Sequence, residues 1–285
     1  MLIVDKPSGM TSHDVVSRVR RTLRMKRVGH AGTLDPMATG VLVVGAGRAT
    51  RLLGHLALGD KDYDAGIRLG VTTDTDDAEG TELTRAEVTC TPADVVAAAA
   101  SLTGVLSQIP PAYSAIKVDG QRSYARARSG ETVELAARTV TVSRFEITSV
   151  SGADVTALVT CSSGTYVRSL ARDLGAKLGV GGHLSSLCRT RVGPFGLAQT
   201  VALDDLMGAG NPVDFLTPMA DAVAAGFRRR DLTDDEVVEI GFGRPLEPTG
   251  IPGVHGVFAP DGRVLALVED RDGRARPVVV FEPQG

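Results

Sequence analysis

The strongest candidate for a catalytic residue is an aspartate, Asp35, in a loop rich in glycine and proline at residues 29–36. Loops held on a rigid scaffold supply a disproportionate share of catalytic groups. His30, five residues earlier, could form an acid–base pair with this carboxylate. An aspartate before a proline is more often a turn former, however, and this His–Asp spacing is a weak signal without a third partner. The loop alone leaves both interpretations open.

Three further side chains could take part in chemistry or in binding. Arg168 lies at the predicted start of a helix, where it could hold a carboxylate ionised and oriented, or simply lie on the surface. Tyr63 and Tyr166 are two of only four tyrosines. Each could stack on a nucleic-acid base or belong to the core.

Several familiar classes of site lack their motifs. The sequence has no HExxH, GxSxG or CxxC motif, so zinc-protease, serine-hydrolase and zinc-cysteine sites are not expected. Residues 43–47 resemble part of a nucleotide-binding loop but lack the GxGxxG fingerprint and the Walker lysine, which argues against dinucleotide and ATP binding. The three cysteines are odd in number and widely spaced, so we expect reduced thiols. We expect neither a metal nor an organic cofactor.

Composition and charge narrow the class of protein. The chain has 285 residues, 43% of them apolar and 23% charged, which is typical of a soluble globular protein. No apolar run approaches the ~20 residues that span a bilayer, and the start does not read as a signal peptide, so we expect a cytoplasmic protein. The net charge is −3, but residues 1–60 hold nine Lys/Arg against four Asp/Glu, and residues 117–172 hold eight against five. These two basic segments could form one positive face for RNA.

Apolar periodicity and turn residues predict the elements that must position the candidate residues. Thr11 or Ser12 should cap a helix in which Val15, Val16, Val19 and Leu23 recur at helical spacing, and whose other face and end are basic, with arginine or lysine at positions 18, 20, 21, 24, 26 and 27. A loop is expected at 28–40. Strands are expected at 2–4, 41–44, 61–71, 139–149, 154–161 and 183–192, and further helices at 92–103 and 165–178.

The last part of the chain has a different pattern. A helix at 233–241 is followed by short β runs at 254–259, 263–269 and 276–281, with Asp-Gly turns at 261–262 and 272–273 between them. This predicts a small β-barrel-type unit after a boundary near 220–230. Residues 105–138 are mostly loop-like, with a short helical stretch near 122–129, and so long an excursion is usually functional or mobile.

Several segments together resemble the bacterial tRNA pseudouridine synthase B family, which isomerises the T-loop uridine at position 55 of tRNA. The match runs in order over about residues 1–200. The matching segments are Asp5–Ser12, Gly29–Gly40, Tyr63 with Leu69–Gly70, Thr73–Asp76, Gln108–Lys117, Ser163–Arg168 and Gly182–Thr190. The resemblance of residues 226–285 to the small PUA-type RNA-binding domain of this family is looser.

The resemblance implies a role for each candidate residue. Asp35 matches the catalytic aspartate, Tyr63 the residue that stacks on the target base, and Arg168 the basic partner of the aspartate. Tyr166 and Leu187 match residues of the pocket. In the same way, His30 matches a histidine that helps to open the T-loop, and Lys6, with Pro7, matches a loop that buttresses the site.

The resemblance also implies the fold and the domains. We expect an α+β pseudouridine-synthase-type catalytic domain at 1–225, with a mixed, largely antiparallel sheet flanked by helices and a mobile RNA-binding insertion at about 108–140. A PUA-like β-barrel domain is expected at 226–285. The expected partner is the T-stem-loop of tRNA, bound by a monomer with its target base flipped out of the stack.

The sequence leaves the chemical step open. An ionised Asp35 could attack C1′, add to the base, or abstract a C2′ proton, and Asp35 or Tyr63 could remove the C5 proton. Arg168 is expected to lower the pKa of Asp35. Three other functions remain possible: a pseudouridine synthase acting on ribosomal or messenger RNA, a non-catalytic RNA-binding or RNA-folding protein, and a glycosidase-like hydrolase with Asp35 as nucleophile.

Overall fold

The protein is described from a computed structural model, which describes residues 1–113, 117–118, 121–122 and 136–282. Most of the insertion predicted at 108–140, and the helical stretch predicted near 122–129, lie outside these residues. Among the described helices, none combines the length and apolar character that a membrane crossing requires.

The described residues form strands that are interspersed with short helices along the chain. The strands are β1 (Leu2–Lys6), β2 (Val28–Ala31), β3 (Thr39–Ala46), β4 (Lys61–Leu69), β5 (Val71–Thr73), β6 (Glu82–Arg85), β7 (Gly104–Gln108), β8 (Lys117–Val118), β9 (Gln121–Arg122), β10 (Arg138–Ser151), β11 (Asp154–Cys161), β12 (Gly182–Val192), β13 (Phe195–Gly196), β14 (Val201–Ala202), β15 (Arg229–Asp231), β16 (His255–Phe258), β17 (Val264–Arg271) and β18 (Arg274–Val280). The helices are α1 (Ser12–Thr22), α2 (Leu53–Leu56), α3 (Pro92–Ala100), α4 (Val167–Lys177), α5 (Leu203–Gly208), α6 (Met219–Gly226) and α7 (Asp234–Gly241).

One large mixed sheet carries the site. Its strands run in the order β14-β1-β3-β12-β4-β11-β10-β7, with β2 paired to β3 and β13 to β12. The β1–β14 and β3–β12 pairs are parallel, and the other pairs of this sheet are antiparallel. The predicted mixed, largely antiparallel sheet flanked by helices is confirmed.

The centre of the sheet follows from simple alternation. On β4 every second residue from Lys61 to Leu69 is buried, because successive side chains of a strand point to opposite faces. α4 packs its buried Leu170, Ala171 and Leu174 into the same core as Ala65 and Ile67 of β4. The N-terminal end of α4 therefore lies over the face of the sheet on which Tyr63 of β4 is buried.

Helix α1 begins as predicted and ends earlier. Thr11 and Asp14 form a capping box, and Val15, Val16 and Val19 are buried. The helix ends at Thr22, and Arg24 follows it with φ of 52°. The predicted basic face is therefore shorter than expected, and the cations at 24, 26 and 27 belong to the connection between α1 and β2.

Two strands lie where loops were predicted. β2 occupies part of the predicted loop 28–40, and β7 part of the predicted loop 105–138. β2 is only four residues long and lies along the end of β3, while β7 pairs with β10 some 30 residues further along the chain. Both owe their structure to partners distant in sequence, and neither has a strong period-two pattern.

The C-terminal strands form a second sheet in the order β15-β16-β17-β18. The predicted turn at Asp272-Gly273 has positive φ at both residues, as a two-residue hairpin requires. Among the described residues this sheet is open, so the PUA-like barrel stays a prediction, as does the division at 225/226. A core cluster that includes Val41 and Val43 of β3 also includes Phe258 and Leu267 of this sheet.

Candidate active site

The Asp35 loop joins β2 to β3 and is held by hydrogen bonds to the N-terminal segment. Ser12 Oγ accepts a hydrogen bond from Leu34 N at 2.9 Å and donates one to Leu34 O at 3.1 Å. The buried Lys6 donates from Nζ to Pro36 O at 3.0 Å, and Gly9 N donates to the same oxygen at 2.8 Å. The two backbone groups that flank Asp35 are therefore fixed, and with them the direction of its side chain.

The Asp35 carboxylate forms a two-pronged contact with Arg168. Oδ2 lies 3.0 Å from Arg168 Nε, and Oδ1 accepts a hydrogen bond from Nη2 at 3.0 Å. The arginine side chain is 6% exposed and the aspartate side chain 34% exposed, so the carboxylate is the accessible partner. This geometry suits a guanidinium and a carboxylate, and it leaves the outer edge of the carboxylate facing the cavity.

Arg168 is in turn oriented by three other groups. Nη1 donates to Thr75 O at 2.9 Å and lies 3.4 Å from the Asp77 carboxylate, and Nη2 also donates to Tyr113 O at 3.0 Å. Asp77 is itself buried and accepts a hydrogen bond from Thr75 Oγ1 at 2.6 Å. A buried arginine between two carboxylates has little freedom to move.

The surroundings of Asp35 favour its neutral form. Burial raises the pKa of Asp35 above its usual range, and the nearby Asp77 carboxylate adds to this, while Arg168 and Lys6 oppose it. As expected from the sequence, the charge of Arg168 by itself lowers the pKa of Asp35. The pKa of Asp35 is nevertheless raised, because the effect of burial is larger than that of the guanidinium.

Tyr63 forms the floor of the cavity on β4. Burial raises the pKa of its phenol to about 12. Its partner across the β4–β12 pairing is Arg189, almost fully buried, which donates from Nε to Val41 O at 2.8 Å and from Nη2 to Gly32 O at 2.9 Å. Arg189 thus joins the start of the Asp35 loop to the strand that carries Leu187.

Tyr166 and Leu187 line the same cavity. Tyr166 directly precedes α4, and the side-chain amide of Gln108 clamps its backbone: Tyr166 N donates to Oε1 at 2.8 Å and Tyr166 O accepts from Nε2 at 3.1 Å. Leu187 is buried on β12. An aromatic and an aliphatic residue here give the polar cavity an apolar side.

The cavity has a volume of about 800 Å³. Its lining includes Asp35, Tyr63, Tyr166, Arg168 and Leu187, five of the seven predicted site residues. A volume of this order suits a nucleotide-sized ligand. Within the described parts of the chain, no group of three His, Cys, Asp or Glu residues is placed to hold a metal ion.

The other two predicted residues lie outside the lining. Lys6 is buried beneath the Asp35 loop, and burial lowers its pKa to about 8. His30 lies on β2, half-buried, and its Nδ1 has no hydrogen-bond partner among the described residues. Burial lowers the pKa of His30, and the positive charge of Arg189 adds to this effect.

Five charged residues of the lining were not singled out as site residues from the sequence. Asp74 and Arg189 lie inside matched segments, Asp77 and Glu79 follow within three residues of the segment 73–76, and Lys61 begins the strand of Tyr63. All of them lie in or near segments that the sequence analysis considered, but their place in the lining is set by the assembled fold, which no local pattern reveals.

Comparisons with known proteins identify the family of the chain. Three family models match in succession: TruB family pseudouridylate synthase (N terminal domain) at residues 20–167, tRNA pseudouridylate synthase B C-terminal domain at 168–220, and tRNA Pseudouridine synthase II, C terminal, at 227–282. A protein of Thermobifida fusca (strain YX) named tRNA pseudouridine synthase B is 58% identical, over 99% of this chain and 98% of that protein. The protein of that name from Mycobacterium ulcerans (strain Agy99) is 54% identical, over 99% of this chain and 95% of that protein.

Solved structures share the fold. The crystal structure of a Cbf5-Nop10-Gar1 complex contains a chain that matches with a TM-score of 0.76 and 26% identity, over 99% of this chain and 84% of that one. A structure of an H/ACA RNP bound to a substrate RNA containing 2′-deoxyuridine matches with a TM-score of 0.75 and 24% identity, over 99% of this chain and 84% of that one, and shows likeness of fold alone.

Proposed function

The chain belongs to the TruB family of pseudouridylate synthases, and we propose that it isomerises the uridine at position 55 in the T-loop of tRNA. Its similarity to proteins named tRNA pseudouridine synthase B extends over almost the full length of the chain. The chain is therefore a tRNA pseudouridine synthase, and so an isomerase. The choice of the T-loop rests on the segments around Asp35, Tyr63 and Arg168 that resemble the family.

The observation that carries the proposal is the Asp35–Arg168 pair in the lining of the cavity. The reaction breaks the N1–C1′ bond of uridine, turns the base, and joins C5 to C1′. It therefore needs an anionic group beside the sugar and a space in which the detached base is retained. A carboxylate held by a buried guanidinium supplies the first requirement, and the cavity supplies the second.

The target base must leave the RNA stack before it reaches Asp35. Flipping costs a few kcal/mol, and stacking on an aromatic ring offsets about 1–3 kcal/mol of this per base. Tyr63 is the residue for that stacking in our proposal, with Tyr166 and Leu187 enclosing the base. His30, outside the cavity, would act on the RNA that the base leaves behind.

Asp35 acts as an ionised group, by attack at C1′, addition to the base, or removal of a C2′ proton. Tyr63 is poorly suited to take the C5 proton: with a pKa of about 12, only about one phenol in 10⁵ is ionised at pH 7. In our proposal, therefore, a carboxylate rather than Tyr63 takes the C5 proton.

Contacts to the RNA backbone complete the proposal. Arg24, Lys26 and Arg27 are exposed beside α1 and are available to phosphates. Arg20 is less available than we expected from the sequence, because its Nη2 donates to Val28 O at 3.2 Å. We also propose that the insertion at 108–140 and the C-terminal unit contact tRNA, and that the enzyme acts in the cytoplasm as a monomer.

The first test is the Asp35→Asn variant. The substitution keeps the shape and removes the negative charge, so we expect tRNA affinity within severalfold of wild type and no turnover. The measurement is tritium release from tRNA labelled at uridine C5, alongside a binding titration. Substantial release by the variant would remove Asp35 from the mechanism.

A second experiment locates the product. Wild-type enzyme is incubated with an unmodified tRNA transcript, and pseudouridine is mapped along the chain. We expect it at position 55 alone. Pseudouridine elsewhere would contradict the proposed T-loop specificity, free uracil would indicate a hydrolase, and unchanged RNA would indicate a binding protein.

A further inference from the structure

One wall of the cavity is an acidic loop between β5 and β6. It contributes three carboxylates to the lining, those of Asp74, Asp77 and Glu79. Two of them are engaged in hydrogen bonds that shape the loop. Asp77 Oδ1 accepts from Thr75 Oγ1 at 2.6 Å and from Glu79 N at 3.1 Å, and Asp74 Oδ1 accepts from Thr81 N at 2.7 Å.

Glu79 differs from its neighbours. Its side chain is exposed and lines the cavity, and it forms no hydrogen bond or ion pair within the part of the chain that the structure describes. Its backbone is nevertheless fixed, through Glu79 N and Asp77. The carboxylate is close enough to Asp35, Lys6 and Arg168 for their charges to act on it.

The reaction requires a proton to move, whichever step Asp35 performs. Once C5 has joined C1′, C5 still carries its hydrogen and N1 has none, so a proton must leave C5 and another must reach N1. Both atoms are bonded to C6 of the ring, so one carboxyl group beside C6 can serve both.

Asp35 is poorly placed for this transfer. Both of its oxygens face Arg168 at 3.0 Å, and a proton on either would weaken a contact to the guanidinium. Glu79 can accept and release a proton without losing a hydrogen bond that the described residues provide. A general acid–base group needs this freedom as well as reach.

We propose that Glu79 carries the proton from C5 to N1 in the isomerisation. The Glu79 carboxylate takes the C5 proton, and the C5–H electron pair forms the C5=C6 double bond while the electrons of the C6=N1 bond move to N1. N1 then takes the proton from the Glu79 carboxyl group, which regenerates the carboxylate. The inference rests on the proposed function and adds an acid–base residue to it.

The electrostatics of the wall agree with this role. Partial burial raises the pKa of Glu79, and the negative charges of Asp77 and Asp35 raise it further. A raised pKa makes the carboxylate a stronger base, and it lets the group hold the proton between the two transfers.

The test is a C5 isotope effect in Glu79→Gln. With tRNA carrying hydrogen or deuterium at uridine C5, single-turnover pseudouridine formation should slow by ~100-fold or more in the variant. Its isotope effect should exceed that of wild type, because loss of the C5 proton becomes limiting, and the dissociation constant for tRNA should stay the same. Glu79→Asp, which keeps the carboxylate, should recover part of the rate.

Controls separate the possible results. Glu87→Gln removes an exposed carboxylate outside the lining and should match wild type. A wild-type rate in Glu79→Gln, or a slow rate without a larger isotope effect, would overturn the proposal. So would a larger isotope effect in Asp74→Asn in place of Glu79→Gln. If wild type itself makes no pseudouridine, the proposed function fails instead.

Discussion

At the scale of single residues, Asp35 must be ionised in surroundings that favour its protonated form. Burial and the Asp77 carboxylate raise its pKa from the ordinary value of 3.8. A carboxyl group with a raised pKa loses its charge at a higher pH than a free aspartate. We therefore expect activity to fall, as the solution is acidified, at a pH above the normal range for aspartate.

A pH–rate profile checks this expectation. The measurement is the single-turnover rate constant with unmodified tRNA from neutral to acid pH. Circular dichroism at each pH verifies that the protein remains folded. We expect a limb in which the rate falls at least tenfold per pH unit as Asp35 and Glu79 take up protons, and the same profile in Glu79→Gln isolates the contribution of Asp35. A rate that is constant down to the ordinary pKa of aspartate would contradict the raised pKa.

The site shows what a sequence can and cannot supply at this scale. The pairing of Asp35 with Arg168, 133 residues apart, followed from family resemblance, and the two side chains are in contact. The net direction of the Asp35 pKa did not follow. It depends on the depth of the cavity and on Asp77, and both are properties of the assembled fold.

At the scale of elements, the parallel pairing of β3 with β12 brings two backbones close together beside the site. Gly40 pairs with Arg189, has φ of 95°, and leaves room for no side chain: a Cβ there would lie 2.3 Å from Arg189 O. Gly40→Ala must strain the backbone or separate the strands, so we expect a loss of about 3 kcal/mol in the free energy of unfolding.

Urea denaturation of Gly40→Ala and of a matched variant tests this close strand pairing. Gly54→Ala in α2 is the control, since a Cβ there meets nothing within 4 Å. It should be neutral or slightly stabilising, because alanine favours helix. Equal stability of the two variants would mean that β3 and β12 can move apart at no cost.

Elements with a strong local signal were predicted well, and those formed by distant pairing were not. The capping box of α1, the alternation of β4 and the Asp272-Gly273 turn all depend on neighbours in sequence. β2 and β7 depend on β3 and β10. The end of α1 was also missed. Arg24, which follows the helix, has a left-handed conformation, and this is not expected because it costs about 1–2 kcal/mol for a residue other than glycine.

At the scale of the whole molecule, the C-terminal sheet shares a core with the first strands of the large sheet. One hydrophobic cluster joins Val41, Val43 and Leu52 to Phe258 and Leu267. Arg51 Nη1 adds a hydrogen bond to Val280 O at 2.7 Å, and Arg48 an ion pair to Glu282 at 3.0 Å. Because apolar burial is the main source of stability, a shared core couples the unfolding of the parts that form it.

Phe258→Ala tests that coupling. The side chain is fully buried in the shared cluster, so its loss should cost about 3–5 kcal/mol, as for other buried phenylalanines. We expect calorimetry to show one unfolding transition in wild type, and one at lower temperature in the variant. Phe215→Ala, at a phenyl group that is 40% exposed, should shift the midpoint far less. Two transitions in wild type, with only the smaller one moved by Phe258→Ala, would show that residues 226–285 unfold as an independent domain.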